Sequence, residues 1–491
     1  MNTRKLISAV AAAGCCLALN AQSLEDFKRQ AFEEFNAFRD NAVEEYKNFR
    51  DKANADYAKF MSEAWGEFQK EAPLRKPPLP EPPKPPVAPP PEEDKREDFD
   101  RIPVKEIVPV APPVVRPRPV EPIPVAPTAP VCDSFEFTFY GTPCRVGLDR
   151  SLSFRLTDID ERSVAAAWED LSKEKYNRLI NECLDLRESM DLCGWGYYAL
   201  LRAMTTAFFG DTNEAVLLQI FIMVQSGYQV RIARCEQRLC LLMPSDYTIF
   251  SKSYIKIDGE NYYIFGNDTG SNQYHVFTGA FPHEQVMSIR MEAAPKLEPL
   301  AARERDLVSK RYASASVHAT LDRNLIDFYN DYPLNDNWTL YSLTSLSQGL
   351  KDEIYPPLKA AIEGKSQTEA ANILINFVQT AFEYKTDGEQ FGCERPLFGD
   401  ETFYYPYSDC EDRSILFSIL VRELMGLDVA FLYYPGQHLA TVVRFDEEVP
   451  GDYLMVNDQK YIVCDPTYIG ASIGRAMPNL KNSPVKVIAI Q

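Results

Sequence analysis

The sequence predicts an α+β protein in which a helix packs on an antiparallel sheet, and it predicts that this unit occurs twice. Three observations carry the prediction. Near the C-terminus a helix-spaced apolar run, Ile415, Leu416, Ile419, Leu420 and Leu424, is followed by alternating strand-like segments from Asp428 to Cys464. The same succession occurs about 199 residues earlier, from Asn213 to Ile264. Before both lie a long amphipathic segment and a proline-rich stretch, which set the globular part off from the N-terminus.

The 491 residues give room for about three domains. Acidic residues exceed basic ones, 71 against 52, for a net charge of −19, which argues against a nucleic-acid or anionic-membrane partner. Residues 1–21 read as a secretory signal: Arg4 and Lys5 precede an apolar run from Leu6 to Leu19, with cleavage expected after Ala21. The expected location is therefore exported, in a periplasm or at or beyond a cell surface. The alternative is lipidation at Cys15 or Cys16, for which Ala12-Ala13-Gly14 lacks the large apolar residue three positions before the cysteine. No stretch is long enough for a transmembrane helix.

Residues 24–72 carry an 11-residue repeat: Phe27, Phe38, Phe49 and Phe60, then Ala31, Ala42, Ala53 and Ala64, then Phe35, Tyr46, Tyr57 and Phe68. Eleven residues fill three helical turns, so a helix of roughly 70 Å with a nearly straight apolar stripe is expected. Self-association or packing on an envelope partner would cover the stripe. Residues 73–131 hold most of the prolines and read as a linker. Fully extended, it would reach roughly 180 Å; recognition by a proline-binding domain is the minor alternative.

Residues 132–300 and 315–491 form the expected pair of domains. Leu148-Asp149-Arg150 recurs as Leu321-Asp322-Arg323, 173 residues on, and Thr206-Ala207-Phe208 as Thr380-Ala381-Phe382, 174 on. Asn213–Gly227 matches Asp412–Gly426 at 199, and the strands from Tyr254 and Tyr262 match those from Tyr453 and Tyr461 at the same offset. A single insertion of about 25 residues between Phe382 and Cys410 accounts for the change of offset.

Nine cysteines follow the signal segment, an odd number, so an exported chain keeps at least one thiol. Cys132 with Cys144, and Cys235 with Cys240, are the candidate disulfides. No Cys-x-x-Cys pair occurs and the chain has four histidines, so neither a metal site nor a cofactor is expected. Ser408-Asp409-Cys410-Glu411-Asp412 puts Cys410 at a helix start. There backbone N–H groups favour a thiolate, while Asp409, Glu411 and Asp412 oppose it. Pro435-Gly436 turns the chain so that His438 opens a strand, and Asp465-Pro466 ends the final hairpin with a carboxylate. A cysteine nucleophile needs a base, and the base needs an acceptor to fix its tautomer. Cys410, His438 and Asp465 supply the three in that order. Cys464 is a rival thiol, but its strand position is expected to face the core. His275, His283 and His318 have no comparable neighbours.

This order and spacing resemble the transglutaminase-like branch of the papain-type cysteine hydrolases over about residues 380–470, through Asp-Cys-Glu-Asp, Gly-Gln-His and Cys-Asp-Pro-Thr. The resemblance implies Cys410 as nucleophile, His438 as general base and acid, and Asp465 as orienting carboxylate, acting on a peptide or protein substrate. The tryptophan that often supports the oxyanion in that family has no counterpart here. Tyr404, Tyr405 and Tyr407, with Glu394 and Arg395 upstream and Gln437 beside the histidine, are the candidate substrate-binding residues, and the Cys410 backbone N–H is the candidate oxyanion donor. At the 199 offset the first unit has Asp211, Leu239 and Gly266, so it is expected to keep the fold without the chemistry. The expected activity is amide hydrolysis through a Cys410 thioester. Acyl transfer to an amine, and a non-catalytic scaffold or adhesion protein, are the alternatives.

Overall fold

The computed structural model describes residues 24–76, 84–89, 99–119, 123, 134–266 and 270–490; the signal segment and Cys132 lie outside them. The described chain is mixed α+β, with 38% helix and 24% strand.

Helix α1, Leu24–Met61, is the hendecad segment, but it stops a repeat early, and Gly66–Glu71 form strand β1 instead. The reason is backbone pairing. β1 joins two strands of the N-terminal unit, Tyr254–Ile257 (β7) and Gln273–Phe277 (β9), which would otherwise present open edges. The last turns of α1 are buried through Asn54, Tyr57, Ala58 and Met61, while Phe32, Phe35, Phe38, Phe49 and Phe60 are exposed. Asn54 fixes the docking, accepting from the Trp168 indole N–H at 3.1 Å and from the Gln225 amide at 2.9 Å.

Residues 73–131 are not a free spacer where they are described. Leu74 O accepts from Ser251 N. Pro86 O and Ala88 N bond both sides of Ile469, and Val104–Val108 (β2) adds a parallel strand to the C-terminal sheet. Pro112 O and Pro117 O accept from Arg290 and the buried Arg187. Proline has no N–H but keeps its carbonyl, and an extended chain presents those carbonyls to any donor it passes. The segment is a strap along both units.

In the N-terminal unit a hairpin, Phe135–Phe139 (β3) and Thr142–Val146 (β4), precedes four helices: α2 (Glu161–Leu171), α3 (Asn177–Ser189), α4 (Gly194–Phe209) and α5 (Asn213–Gln225). Then come β5 (Arg231–Cys235), β6 (Arg238–Met243), β7, β8 (Glu260–Phe265) and β9. With β1 they close a barrel of order β1-β7-β8-β6-β5-β9. The β5/β6 register sets Cys240 opposite Ala233 and Cys235 opposite Arg238, so the two cysteines are diagonal rather than opposite, and both are thiols. The expected Cys235–Cys240 disulfide is therefore not formed.

The C-terminal unit opens with β10 (Ala301–Val308) and β11 (Ser316–Asp322). It continues through α6 (Arg323–Asp331), α7 (Trp338–Leu343), α8 (Gln348–Ile362) and α9 (Gln367–Ala381). Short elements follow: β12 (Glu383–Tyr384), α10 (Asp387–Gln390), α11 (Gly399–Tyr404) and β13 (Tyr407–Ser408). Helix α12 (Cys410–Met425) ends at Gly426 in the left-handed conformation expected of a C-terminal stop. Strands β14 (Asp428–Tyr434), β15 (His438–Arg444), β16 (Tyr453–Val456), β17 (Gln459–Cys464) and β18 (Val485–Ile490) form the sheet β16-β17-β15-β14-β18-β2. Strand for strand this matches β7-β8-β6-β5-β9, with every corresponding pair antiparallel. One hydrophobic core runs through both units, from Tyr57 and Trp168 to Phe417 and Val443.

Candidate active site

The hairpin β14–β15 turns at Pro435-Gly436-Gln437, where Gly436 takes φ +68°, and this sets Tyr434 opposite His438. The two rings stack, with centroids 6.1 Å apart. β17 pairs with β15 so that Thr441 faces Cys464, which brings the next residue, Asp465, to the His438 end of the sheet. His438 Nε2 lies 2.9 Å from Asp465 Oδ2. The other carboxylate oxygen, Oδ1, accepts from Thr467 N at 2.9 Å and Tyr468 N at 3.2 Å. With its lone pairs spent this way the carboxylate is fixed in place.

Cys410, the first residue of α12, arrives from the other side. Its sulfur accepts from Leu439 N at 3.4 Å, one residue beyond His438, and its thiol is 3.4 Å from Glu411 Oε2. Ser414, one turn along α12, donates to Leu439 O at 3.0 Å, so helix and strand are joined at two points. His438 and Asp465 are thus paired, Cys410 meets the backbone of the residue after His438, and all three are buried: Cys410 is 1% exposed, His438 4% and Asp465 4%. Cys464 faces the core as expected, and burial pushes its thiol well above its ordinary value.

Two residues that frame the site are not singled out by the sequence reading. The buried Gln379 on α9 donates to the carbonyls of Asp465, Tyr468 and Ala471 at 3.1, 2.9 and 3.1 Å, and accepts from Gly470 N. It shapes the loop that presents Asp465. Arg413, 1% exposed, bonds Ser408 Oγ and the carbonyls of Gln379 and Phe382, tying α12 to α9. Both are polar residues on otherwise apolar helix faces; that mismatch was the available signal.

The acidic run around Cys410 is a buried nest. Asp387 N donates to Asp409 Oδ2, Leu397 N to Asp412 Oδ1, and Arg395 N to Asp387 Oδ2. Oxygens of Asp387, Asp409 and Glu411 lie within 4.8 Å of one another, a spacing at which a cation could be held. Burial first, and then the charges of Asp412 and Glu411, push Asp387 up to about 10. Burial and Glu411 push Asp412 up to about 7.

The suggested substrate residues divide. Tyr405 bonds Asn330 at 2.7 Å and lies beside Arg395 and Phe391, and Tyr404 meets Tyr405 edge-on; these contacts fasten α11 to α6 rather than reach the triad. Tyr407, in β13, leads into Ser408-Asp409-Cys410 and has Lys385 over its ring. Gln437 is exposed in the turn before His438. In the N-terminal unit, Asp211, Leu239 and Gly266 line one cavity of about 260 Å³ at the start of α5, with Arg202, Thr212 and Gln219. Among the described residues no helix is long and apolar enough to cross a membrane. Comparison of the chain with protein-family models, with curated proteins and with solved structures finds no match.

Proposed function

We propose that the protein is an exported cysteine hydrolase of transglutaminase-like type, cleaving an amide bond in a peptide or protein through a thioester on Cys410. The observation that carries this reading is the 2.9 Å pairing of His438 Nε2 with Asp465, beside a sulfur held against the N–H of Leu439. Because Nε2 serves the carboxylate, proton exchange with the thiol falls to Nδ1. His438 takes the Cys410 proton as the sulfur attacks the carbonyl carbon, and returns it to the leaving amine as the tetrahedral intermediate collapses. Water then adds to the thioester with His438 again as base, releasing the acid and the thiol. The Cys410 backbone N–H, at the positive end of α12, is the proposed oxyanion donor.

The matched strand orders, and the single cavity that gathers Asp211, Leu239 and Gly266, support a duplicated unit whose first copy has lost its nucleophile, base and acid.

Iodoacetamide labelling at pH 7 tests the reading, with the Cys410 peptide followed by mass spectrometry. The expected result is modification that falls at least 10-fold in His438→Ala and Asp465→Ala, with folding unchanged by circular dichroism. Equal rates in all three proteins would overturn it. Adding a primary amine to a substrate digest distinguishes hydrolysis from acyl transfer by whether the amine enters the product.

A further inference from the structure

Helix α1 is longer than the surface it docks on. Its buried residues, Arg50, Asn54, Tyr57, Ala58 and Met61, lie in its last turns, and residues 29–41 are exposed except for the half-buried Asn36. At about 100° per residue, Phe35, Phe38, Ala42, Phe49, Ala53 and Phe60 fall within about 65° of one another around the helix. The docked residues point roughly 100° further round. The two faces meet at Tyr57, whose ring packs against Trp168, Phe277 and Phe281, so the stripe continues from an interface already formed. Phe35, Phe38, Phe49 and Phe60 are nevertheless 62, 55, 41 and 56% exposed.

A contiguous bare apolar face of this size marks a contact surface. With roughly half of about 200 Å² uncovered on each ring, the four rings offer about 400 Å² per copy, before the alanines and the stems of flanking side chains are counted. Two such faces together approach the ~1,000 Å² of a specific interface. The 11-residue period keeps the stripe nearly straight, so a helix of the same period can follow it over its whole length. Ala42, between Phe38 and Phe49, leaves a hollow for a ring of the facing helix. The two edges of the stripe differ in charge: Glu34, Glu45 and Asp56 recur along one, and Arg39 lies on the other. Parallel copies set acidic edge against basic edge, with Glu34 of one helix beside Arg39 of the other, whereas antiparallel copies set acid against acid. Within the chain Glu34 accepts from the Gln30 amide at 3.1 Å and Arg39 reaches Asp40 at 2.8 Å, exposed local contacts that hold neither side chain firmly. The acidic edge and the net charge of −19 disfavour an anionic lipid surface as the occupant.

We propose that the stripe on α1 is covered by α1 of a second copy of this chain, the two helices running parallel and in register. The proposal stands apart from the hydrolase reading. Because the docked face lies to one side of the stripe, the second helix leaves the contacts of Asn54 with Trp168 and Gln225 in place. Both copies then carry their globular parts at the same end of a shared stalk.

The test uses the full chain in sedimentation equilibrium across the micromolar range. The expected mass is that of two chains. Phe38→Gln combined with Phe49→Gln is expected to weaken the pair about 10-fold or more. Both side chains are exposed, so the melting temperature of this variant should match that of the unmodified chain. Arg39→Glu is expected to weaken the pair, and Glu34→Arg added to it to restore the pair. Orientation is read by oxidation in a Cys393→Ser background. Ala31→Cys and Ala42→Cys are each expected to form a disulfide-linked pair, which an antiparallel arrangement cannot give at both positions. The mass of one chain at every concentration, or a pair that the phenylalanine changes leave intact, would overturn the proposal. So would linkage at only one of the two cysteines, which would remove the parallel register. A single chain that co-sediments with phosphatidylglycerol vesicles through Phe38 and Phe49 would overturn it in favour of a lipid surface.

Discussion

Gln379 serves five partners with one amide, and each of the three carbonyls to which it donates belongs to the Asp465 loop or its continuation. Gln379→Leu takes this donor from Asp465 O and Ala471 O and one of two donors from Tyr468 O, which is expected to cost about 2–4 kcal/mol. The measurement is the urea midpoint, and a loss under about 0.5 kcal/mol would show that the loop does not depend on this amide. Asp387 makes a pH prediction. Its folded value, about 10 against an ordinary 3.8, means that the native chain holds a proton which the unfolded chain releases. The stability this proton confers is whole below about pH 4 and is lost as pH rises through 10; Asp412 behaves likewise up to about 7. Asp387→Asn keeps the acceptor for Arg395 N and removes the titration, so melting temperature should fall less steeply between pH 5 and 9. An unchanged slope would assign the pH dependence to other groups. At this scale the triad residues were legible because helix start, turn and strand end are local signals, and Asp-Cys, Gly-Gln-His and Asp-Pro each mark one. Gln379 and Arg413 were not singled out, because what makes them matter is burial against residues far away in the chain.

Elements repeat the lesson with a different limit. The helix and the four strands from Asp428 to Cys464 were readable from periodicity, whereas the last strand, Val485–Ile490, was not, and the offset of 199 pointed to their counterparts, whose pairing order agrees. The hendecad also gave a helix, but periodicity alone placed its end at residue 72, since it carries no information about two barrel edges awaiting a strand. Gly227 shows how closely the strap is seated. At φ +90° it lies where an added Cβ would come 2.1 Å from Arg118 O. Gly227→Ala combines a left-handed strain of about 1–2 kcal/mol with that clash. It should therefore lower the melting temperature and open the strap near Arg118 to trypsin. Digestion at the same rate as the unmodified chain would mean that the strap is not held there.

Across the whole molecule, one core joins the units, and the strap contributes backbone bonds to both. Units so joined should unfold together. Tryptophan fluorescence and far-ultraviolet circular dichroism are expected to give coincident urea transitions, with Trp168 in one unit and Trp338 in the other both reporting. Two separated transitions would show that the shared core does not couple them. Proline content suggested distance between helix and head; the carbonyls that proline retains made adhesion possible instead. The parallel pairing of β2 with β18 has a temporal corollary. Val485 lies 381 positions after Val104, its partner, so the sheet edge cannot close until β18 has been synthesised. A growing polypeptide must carry β2 uncommitted throughout that interval of elongation.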